Sequence, residues 1–370
     1  TMFEYGGFVQ ASKLLMSEKL KLTGSIRMDR SENFNTRYTP RISGLYTYKK
    51  DHNFRLSFQT GYRFPSLREQ HSMQAIGSAT VVGGLQPLLD PLALEGSAFY
   101  EQALDDFIQA VNLSTNPDPE INPVRFNQEQ AELEHLDILE NGLVQEGEIT
   151  KISPEQIRTI EIGYKSVLSN NRLLLDLTYY HNFYEDFIGI VRVHRPKTNP
   201  GVDLFTAAGQ VNNSNETDVF FIYNNAREQV RSQGISFNID YTSNGGFLLG
   251  LNGAWAELSS DPEDPIVPGF NTPRIKLNYT IGHNNITKHI GFKINLRTRT
   301  AFQWESNFGD GEVKDYFNMD VQMNWRIPSM HSMLKVGMSN LGNSYYANIF
   351  GGPRLGSLPY IQLIYDPMFY

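Results

Sequence analysis

Arg63, Tyr180, Asn182 and Tyr184 stand at the ends of strand-like runs and are of types that grip a ligand. Ring faces suit sugars or flat molecules, the amide supplies hydrogen bonds, and the guanidinium takes anions. No comparable set exists for covalent chemistry. The chain has no cysteine, so no disulfide framework, thiolate nucleophile or thiolate metal site is available. Its eight histidines include no HxxxH pair. There is no GxSxG elbow, no phosphate-binding glycine loop and no Ser/His/Asp arrangement. A binding role is expected, not an enzymatic one, with no resident metal or cofactor. Asp261-Pro262-Glu263-Asp264-Pro265 and Asp310-Gly311-Glu312 cluster oxygens of the kind Ca²⁺ takes, although neither has the spacing of a recognised calcium loop.

A second set is basic: Arg27, Arg55, Arg274, Lys276, Lys293, Arg297 and Arg299. These residues would share one wall only if the elements carrying them are strands, and the sequence says that they are. In Arg274-Ile275-Lys276-Leu277-Asn278-Tyr279-Thr280-Ile281 the odd positions are apolar and the even ones polar. Phe317 to Trp325 and Ile235 to Tyr241 repeat the pattern. Period two gives each strand one apolar and one polar face. Several runs reach about 10 residues, the length of a tilted membrane-spanning strand. About 13 strands are expected, near 3–14, 18–30, 36–49, 53–64, 156–168, 171–190, 218–242, 246–258, 268–283, 288–302, 315–327, 332–341 and 357–369. Short connections alternate with long ones, the latter following Arg30, Phe64, Ile190, Ser259, Gln303 and Asn340. Bacterial outer-membrane barrels pair short periplasmic turns with longer outer loops in this way. The aromatic share of 12%, with 19 Tyr and 23 Phe, fits the girdles such barrels carry at the two lipid interfaces. Tyr46, Tyr48, Tyr62, Tyr164, Tyr279, Trp255 and Trp325 are expected on the lipid side.

The expected fold class is therefore all-β, an antiparallel transmembrane barrel with a partly helical outer insertion. Barrel strands occupy 1–65 and 154–370. The insertion, 66–153, reads helical over Ala93–Leu113 and Gln128–Glu140. From Leu85 to Ser153 there are 14 acidic side chains against Arg125 and Lys151 alone, so this segment is acidic while the remainder of a chain of net charge −8 is mildly basic. The balance argues against nucleic acid, and an acidic outer subdomain could dock a surface-exposed partner protein. The chain opens on Thr1-Met2-Phe3 without an initiator methionine, signal peptide or lipidation motif, and reads as a mature or partial product.

Several stretches resemble the C-terminal barrel region of TonB-dependent receptors. Gly61-Tyr62-Arg63-Phe64-Pro65-Ser66 is similar to the "GYRxPS" strand end. Ser153-Pro154-Glu155-Gln156-Ile157-Arg158-Thr159-Ile160-Glu161-Ile162-Gly163-Tyr164-Lys165 is similar to "L-x-P-E-x-x-x-x-x-E-x-G-x-K". Gly24-Ser25-Ile26-Arg27-Met28-Asp29, Arg231-Ser232-Gln233-Gly234-Ile235 and Ser339-Asn340-Leu341-Gly342-Asn343-Ser344-Tyr345-Tyr346 follow in family order. Tyr370 supplies the expected aromatic terminus, while Pro367 interrupts the last strand.

The resemblance implies a cell outer-membrane, multi-pass barrel of 22 strands, of which this chain holds the C-terminal 13. It implies uptake of a scarce nutrient such as a metal chelate, vitamin, glycan or peptide. The implied partners are outer-membrane lipid, an N-terminal plug and barrel half in this or another chain, and TonB acting through that half. Two alternatives are a receptor-like barrel serving as a structural subunit of a larger outer-membrane complex, and a soluble all-β carbohydrate-binding protein.

Overall fold

A computed structural model of the chain describes residues 3–114, 128–197, 204–211, 213, 215–306 and 309–367. Thirteen strands form one antiparallel sheet in sequence order: β1 Glu4–Leu15, β2 Leu20–Ser31, β3 Phe34–Tyr48, β4 His52–Arg63, β5 Glu155–Leu168, β6 Leu173–Glu185, β7 Val230–Thr242, β8 Phe247–Ser259, β9 Ile275–His283, β10 Ile290–Arg299, β11 Tyr316–Ile327, β12 Ser332–Ser339 and β13 Leu358–Tyr365.

The ladder registers carry one face through the sheet. Arg55 pairs with Gly163 and Ser57 with Glu161; Glu161 then pairs with Tyr180 and Lys165 with Asp176. The same parity runs through Asn238 and Asn252 to Asn278, Arg297 and Asn318. On the opposite parity lie Phe54, Phe58, Ile162, Leu177, Ile235, Tyr279, Ile281, Met323 and Trp325, all strongly exposed. Sheets in water bury such a face; here it is open along the whole ladder. All seven aromatic residues expected at the lipid interfaces share its parity.

The packed core lies elsewhere. A second, six-membered sheet is built from Ile266–Val267, Ile188–Pro196, Thr217–Asn225, Ala79–Val82 and Met73–Ile76, with Phe99–Tyr100 against Ile188–Pro196. Val82, Val144, Val193 and Ile222 are completely buried there. Helices Glu101–Ser114 and Gln128–Gly142 cover it, with Phe99, Leu104, Leu139 and Ala208 packed between the layers. This assembly stands beyond the long-loop end of the main sheet. The insertion does not fold alone within it, because Ala79–Val82 pairs in parallel with Val219–Ile222 from a distant loop.

The structure departs from the expected strands at identifiable places. The run 171–190 breaks at Asp186, whose φ of 53° turns the chain out of the sheet. Ile188–Pro196 then joins the outer sheet instead. The run 218–242 divides likewise into an outer strand and β7, and β9 starts only at Ile275, not at 268. Each outer strand holds a short run without polar side chains, Ile188–Val191 and Val219–Ile222, the mark of a segment buried on two faces. The connection after Arg30 is a tight turn at Glu32-Asn33 and not a long loop. The helix expected over Ala93–Leu113 starts only at Glu101, and the insertion also holds a short helix at Leu67–His71 that was not expected.

Candidate functional site

The four residues expected to contact a ligand lie on the polar face at its outer end. Tyr180, Asn182 and Tyr184 alternate along β6 and pair with Glu161, Thr159 and Ile157 of β5, so all three project to the polar face. Arg63 ends β4 opposite Glu155 and points the same way by parity.

Their contacts separate them. The Arg63 guanidinium donates to Glu69 at 2.8 and 3.0 Å and to Glu155 at 3.2 Å. Glu155 is only 7% exposed and also accepts the Ile188 amide at 3.0 Å. It thereby ties β4, the start of β5 and the first outer strand together, and Arg63 is its counter-ion. Glu69 closes a capping box with Ser66 on the short helix Leu67–His71. Burial works to raise its pKa, but Arg63 and the Ser66 amide hold it below the ordinary 4.5. An incoming anion would have to displace two carboxylates from Arg63.

Asn182 is similarly engaged: its Oδ1 accepts from Thr159 at 2.8 Å and its Nδ2 donates to Ser232 at 3.0 Å. Tyr184 lies against Ser232 at 3.4 Å and edge-on to Phe187, packed beside Val230 and Ile266. Tyr180 differs. Its ring lies over Gly234, where a Cβ would sit 2.5 Å from the hydroxyl oxygen, and that hydroxyl makes no hydrogen bond among the described residues. Tyr180 is thus the member of the set with an unspent polar group.

The basic residues sort by register. Arg27 pairs with Asp29 at 2.6 Å, Arg55 with Glu161 at 2.7 Å and Arg297 with Asp320 at 2.8 Å. Arg55 fits because Gly163 leaves its guanidinium room, the nearest approach to a built Cβ being 3.2 Å. The acidic and glycine positions of the 153–165 motif therefore hold Arg63 and Arg55 in place. Arg274 stands one residue before β9 and turns to Glu257 at 2.8 Å. Lys276 and Lys293 make neither an ion pair nor a hydrogen bond among the described residues. Arg299 faces no carboxylate; it stacks over Tyr316 at 4.6 Å and donates to the Ala347 carbonyl and Asn348. A polar recess of about 440 Å³ between β2 and β6 adds Lys21 and Arg41 to Arg55 and Lys165. The face is a mostly self-neutralised wall with local cationic excess.

In the outer assembly, Arg192 is a junction that inspection of the sequence missed, since it lies inside an apolar run. Its guanidinium, 15% exposed, contacts Glu101 at 3.2 Å, Asp310, and the Ser306 carbonyl at 3.2 Å. Glu101 is held below the ordinary 4.5, with neighbouring His194 the largest influence, ahead of opposing burial and of Arg192. Burial would raise Asp310, but Arg192 and the Ser306 amide hold it below 3.8. Asp264 accepts the Arg227, Glu228 and Ile266 amides at 2.7, 3.1 and 3.1 Å. Both loops considered for Ca²⁺ thus use a carboxylate as an internal acceptor.

The fold of the thirteen-strand sheet and its outer assembly has counterparts among solved structures. The siderophore receptor PirA from Acinetobacter baumannii superposes with a TM-score of 0.57 at 12% identity, over 97% of this chain and 45% of that one. The copper transporter OprC gives 0.58 at 12%, over 98% and 47%. The FrpB iron transporter from Neisseria meningitidis gives 0.57 at 11%, over 98% and 45%. The chain thus spans under half the length of these solved structures, and at such identities the likeness is one of fold. No curated protein sequence matches the chain. Residues 2–341 match the "TonB dependent receptor-like, beta-barrel" family, whose barrels lie in the outer membrane. The chain belongs to the family of TonB-dependent receptor-like β-barrels.

Proposed function

We propose that the chain is the C-terminal barrel part of an outer-membrane receptor that takes up a scarce nutrient, with its apolar face in lipid and its polar face lining the lumen. The division of faces, kept in register across thirteen strands, carries this reading. It needs no chemical step, because the wall only presents side chains to a passing ligand. Residues 1–65 and 154–370 would supply the wall and 66–153 most of the outer subdomain. Within the rim, Tyr180 offers contact, while Arg63, Asn182 and Tyr184 keep the rim in shape.

The sheet has two free edges, β1 and β13. As first and last of thirteen antiparallel strands they run the same way and cannot pair antiparallel with each other. Closure takes an odd number of further strands, and nine would complete the 22 of plugged outer-membrane transporters. Those strands, a plug and the TonB contact belong to the rest of the receptor, in this chain or another.

The test is growth under single-nutrient limitation. Deleting the receptor and deleting TonB should abolish uptake of the same nutrient. Normal uptake of every nutrient, with loss of an outer-membrane assembly, would replace this reading by the structural one.

A further inference from the structure

Two outer loops meet above the polar face at the far end of the sheet from Arg63. One is the ribbon Phe302–Trp304 with Gly311–Val313; the other joins β12 to β13. The second folds inward, since Arg299 and Tyr316, both of polar-face parity, hold it. Arg299 donates to Ala347 and Asn348, and the Tyr316 and Tyr346 rings are 4.6 Å apart.

The loop is rigidly built. Asn340 and Asn343 take left-handed φ values of 54° and 50°, a conformation asparagine tolerates better than most residues. Asn340 binds Ser344 through both ends of its amide, at 2.9 and 3.3 Å. Asn343 accepts the Ser357 amide at 2.9 Å. Phe350 lies on the ribbon backbone, where a Cβ on Gly311 would sit 2.2 Å from the ring.

Between the loops is a pocket of about 520 Å³, within the range of roughly 300–1,000 Å³ usual for small-ligand clefts. Its apolar surface comes from Tyr345, Ile349 and Phe350, which are 67%, 42% and 45% exposed. Its rim carries Glu312, Asp315, Lys314 and Arg354. All four are exposed, and none makes an ion pair or hydrogen bond among the described residues. The Asn340 and Asn343 side chains are spent within the loop, whereas the four rim charges are not spent among the described residues.

Two unspent cations and two unspent carboxylates around an apolar floor match a ligand that carries both charges itself. We infer that this pocket binds short peptides with free termini and an aromatic or apolar side chain. The amine meets Glu312 and Asp315, the carboxylate meets Arg354 and Lys314, and the side chain lies on Phe350 and Tyr345. A multiply anionic chelate would find the two cations of the rim offset by two carboxylates, so the rim gives it no net attraction. The inference rests on the proposed uptake role for its biological meaning, but binding itself does not depend on transport.

The experiment is calorimetric titration of the whole detergent-solubilised receptor with the tripeptide Ala-Phe-Ala, its N-acetyl and C-amide forms, and ferric citrate. Saturable binding of the free tripeptide is expected, weakened about tenfold by blocking either end, the scale of one charge-assisted contact. R354Q should remove the preference for a free carboxylate, and the exposed pair E312Q/D315N the preference for a free amine, with neither change disturbing the fold. F350A should weaken every peptide. Equal binding of blocked and free forms, tighter binding of ferric citrate than of the peptide, or no peptide binding would each overturn the inference. Binding as expected in a receptor that imports nothing would overturn the uptake reading alone.

Discussion

Replacing Arg192 by methionine should open the outer assembly locally without unfolding the main sheet. Arg192 links three segments: the outer strand that carries it, the helix starting at Glu101, and the ribbon loop at Ser306 and Asp310. One unit-charge pair at 3.2 Å is worth about 5 kcal/mol gross at an effective dielectric of 20. Desolvation of a guanidinium that is only 15% exposed opposes this. The Glu101 and Asp310 side chains are 35% and 27% exposed, and water would partly compensate them once Arg192 is gone. The net cost is therefore below the 3–5 kcal/mol of a fully buried pair and nearer about 2–3 kcal/mol. Methionine keeps an unbranched apolar stem but removes the guanidinium that lies 5.2 Å over the Phe221 ring, so a cation–π contribution is lost along with the ion pairs. Native-state hydrogen exchange reads such local opening directly. Amides of 101–114, 302–306 and 309–313 should exchange about 30- to 150-fold faster, at about 1.4 kcal/mol per decade, while β5 to β8 keep their protection. D310N should release 302–306 and 309–313 but leave 101–114 protected, because Glu101 retains Arg192. Uniform acceleration across all strands, or acceleration below about threefold in both segments, would refute the reasoning.

The same assembly should be acid-labile. The folded-state pKa values of Glu69, Glu101 and Asp310 lie below 4.5, 4.5 and 3.8, so their stabilisation is complete above those values and is lost as pH falls through the lower folded ones. Exchange protection of the outer helices should be level from neutrality to about pH 5 and decline below about pH 4.5; a decline between pH 7 and 6 would contradict this assignment. G234V places branched carbon where the Tyr180 hydroxyl and the Trp255 carbonyl already sit, 2.5 and 2.7 Å from a built Cβ. A cost of about 1–3 kcal/mol should lower the heat-modification midpoint on gels, and G234V/Y180A should recover part of it. A cysteine at Glu161 should react with a water-soluble maleimide in intact outer membranes and one at Ile162 only with a lipid-soluble reagent; reversed labelling would invert the assignment of faces.

Much of the main sheet was legible because a strand's side chains alternate with period two, and a membrane barrel leaves that alternation unbroken on both sides. Arg55, Lys276 and Tyr279 declare their faces by position alone. The alternation could not show where a strand goes on leaving the sheet. It lapses at Glu185-Asp186-Phe187-Ile188, two charged residues and then two apolar ones, but where the chain goes next depends on the left-handed Asp186 backbone and on a distant partner strand. Contact identity was equally hidden. Arg63 and Tyr180 look alike as candidates until the fold places two carboxylates on one and leaves the hydroxyl of the other free.

By itself, then, the sequence determined the fold class, the faces of most strands, a helix starting at Gln128 (expected to Glu140, observed to Gly142) and the family, because each depends on local period or on a contiguous motif. Only the tertiary structure decided that strands from the insertion, from 188–196, from 217–225 and from 266–267 form one outer sheet, that Arg192 joins a strand, a helix and a loop, and that the loops around Phe350 enclose a pocket with unspent charge. Those facts rest on contacts between residues far apart in the chain, and no local pattern specifies which distant side chain will complete a pair.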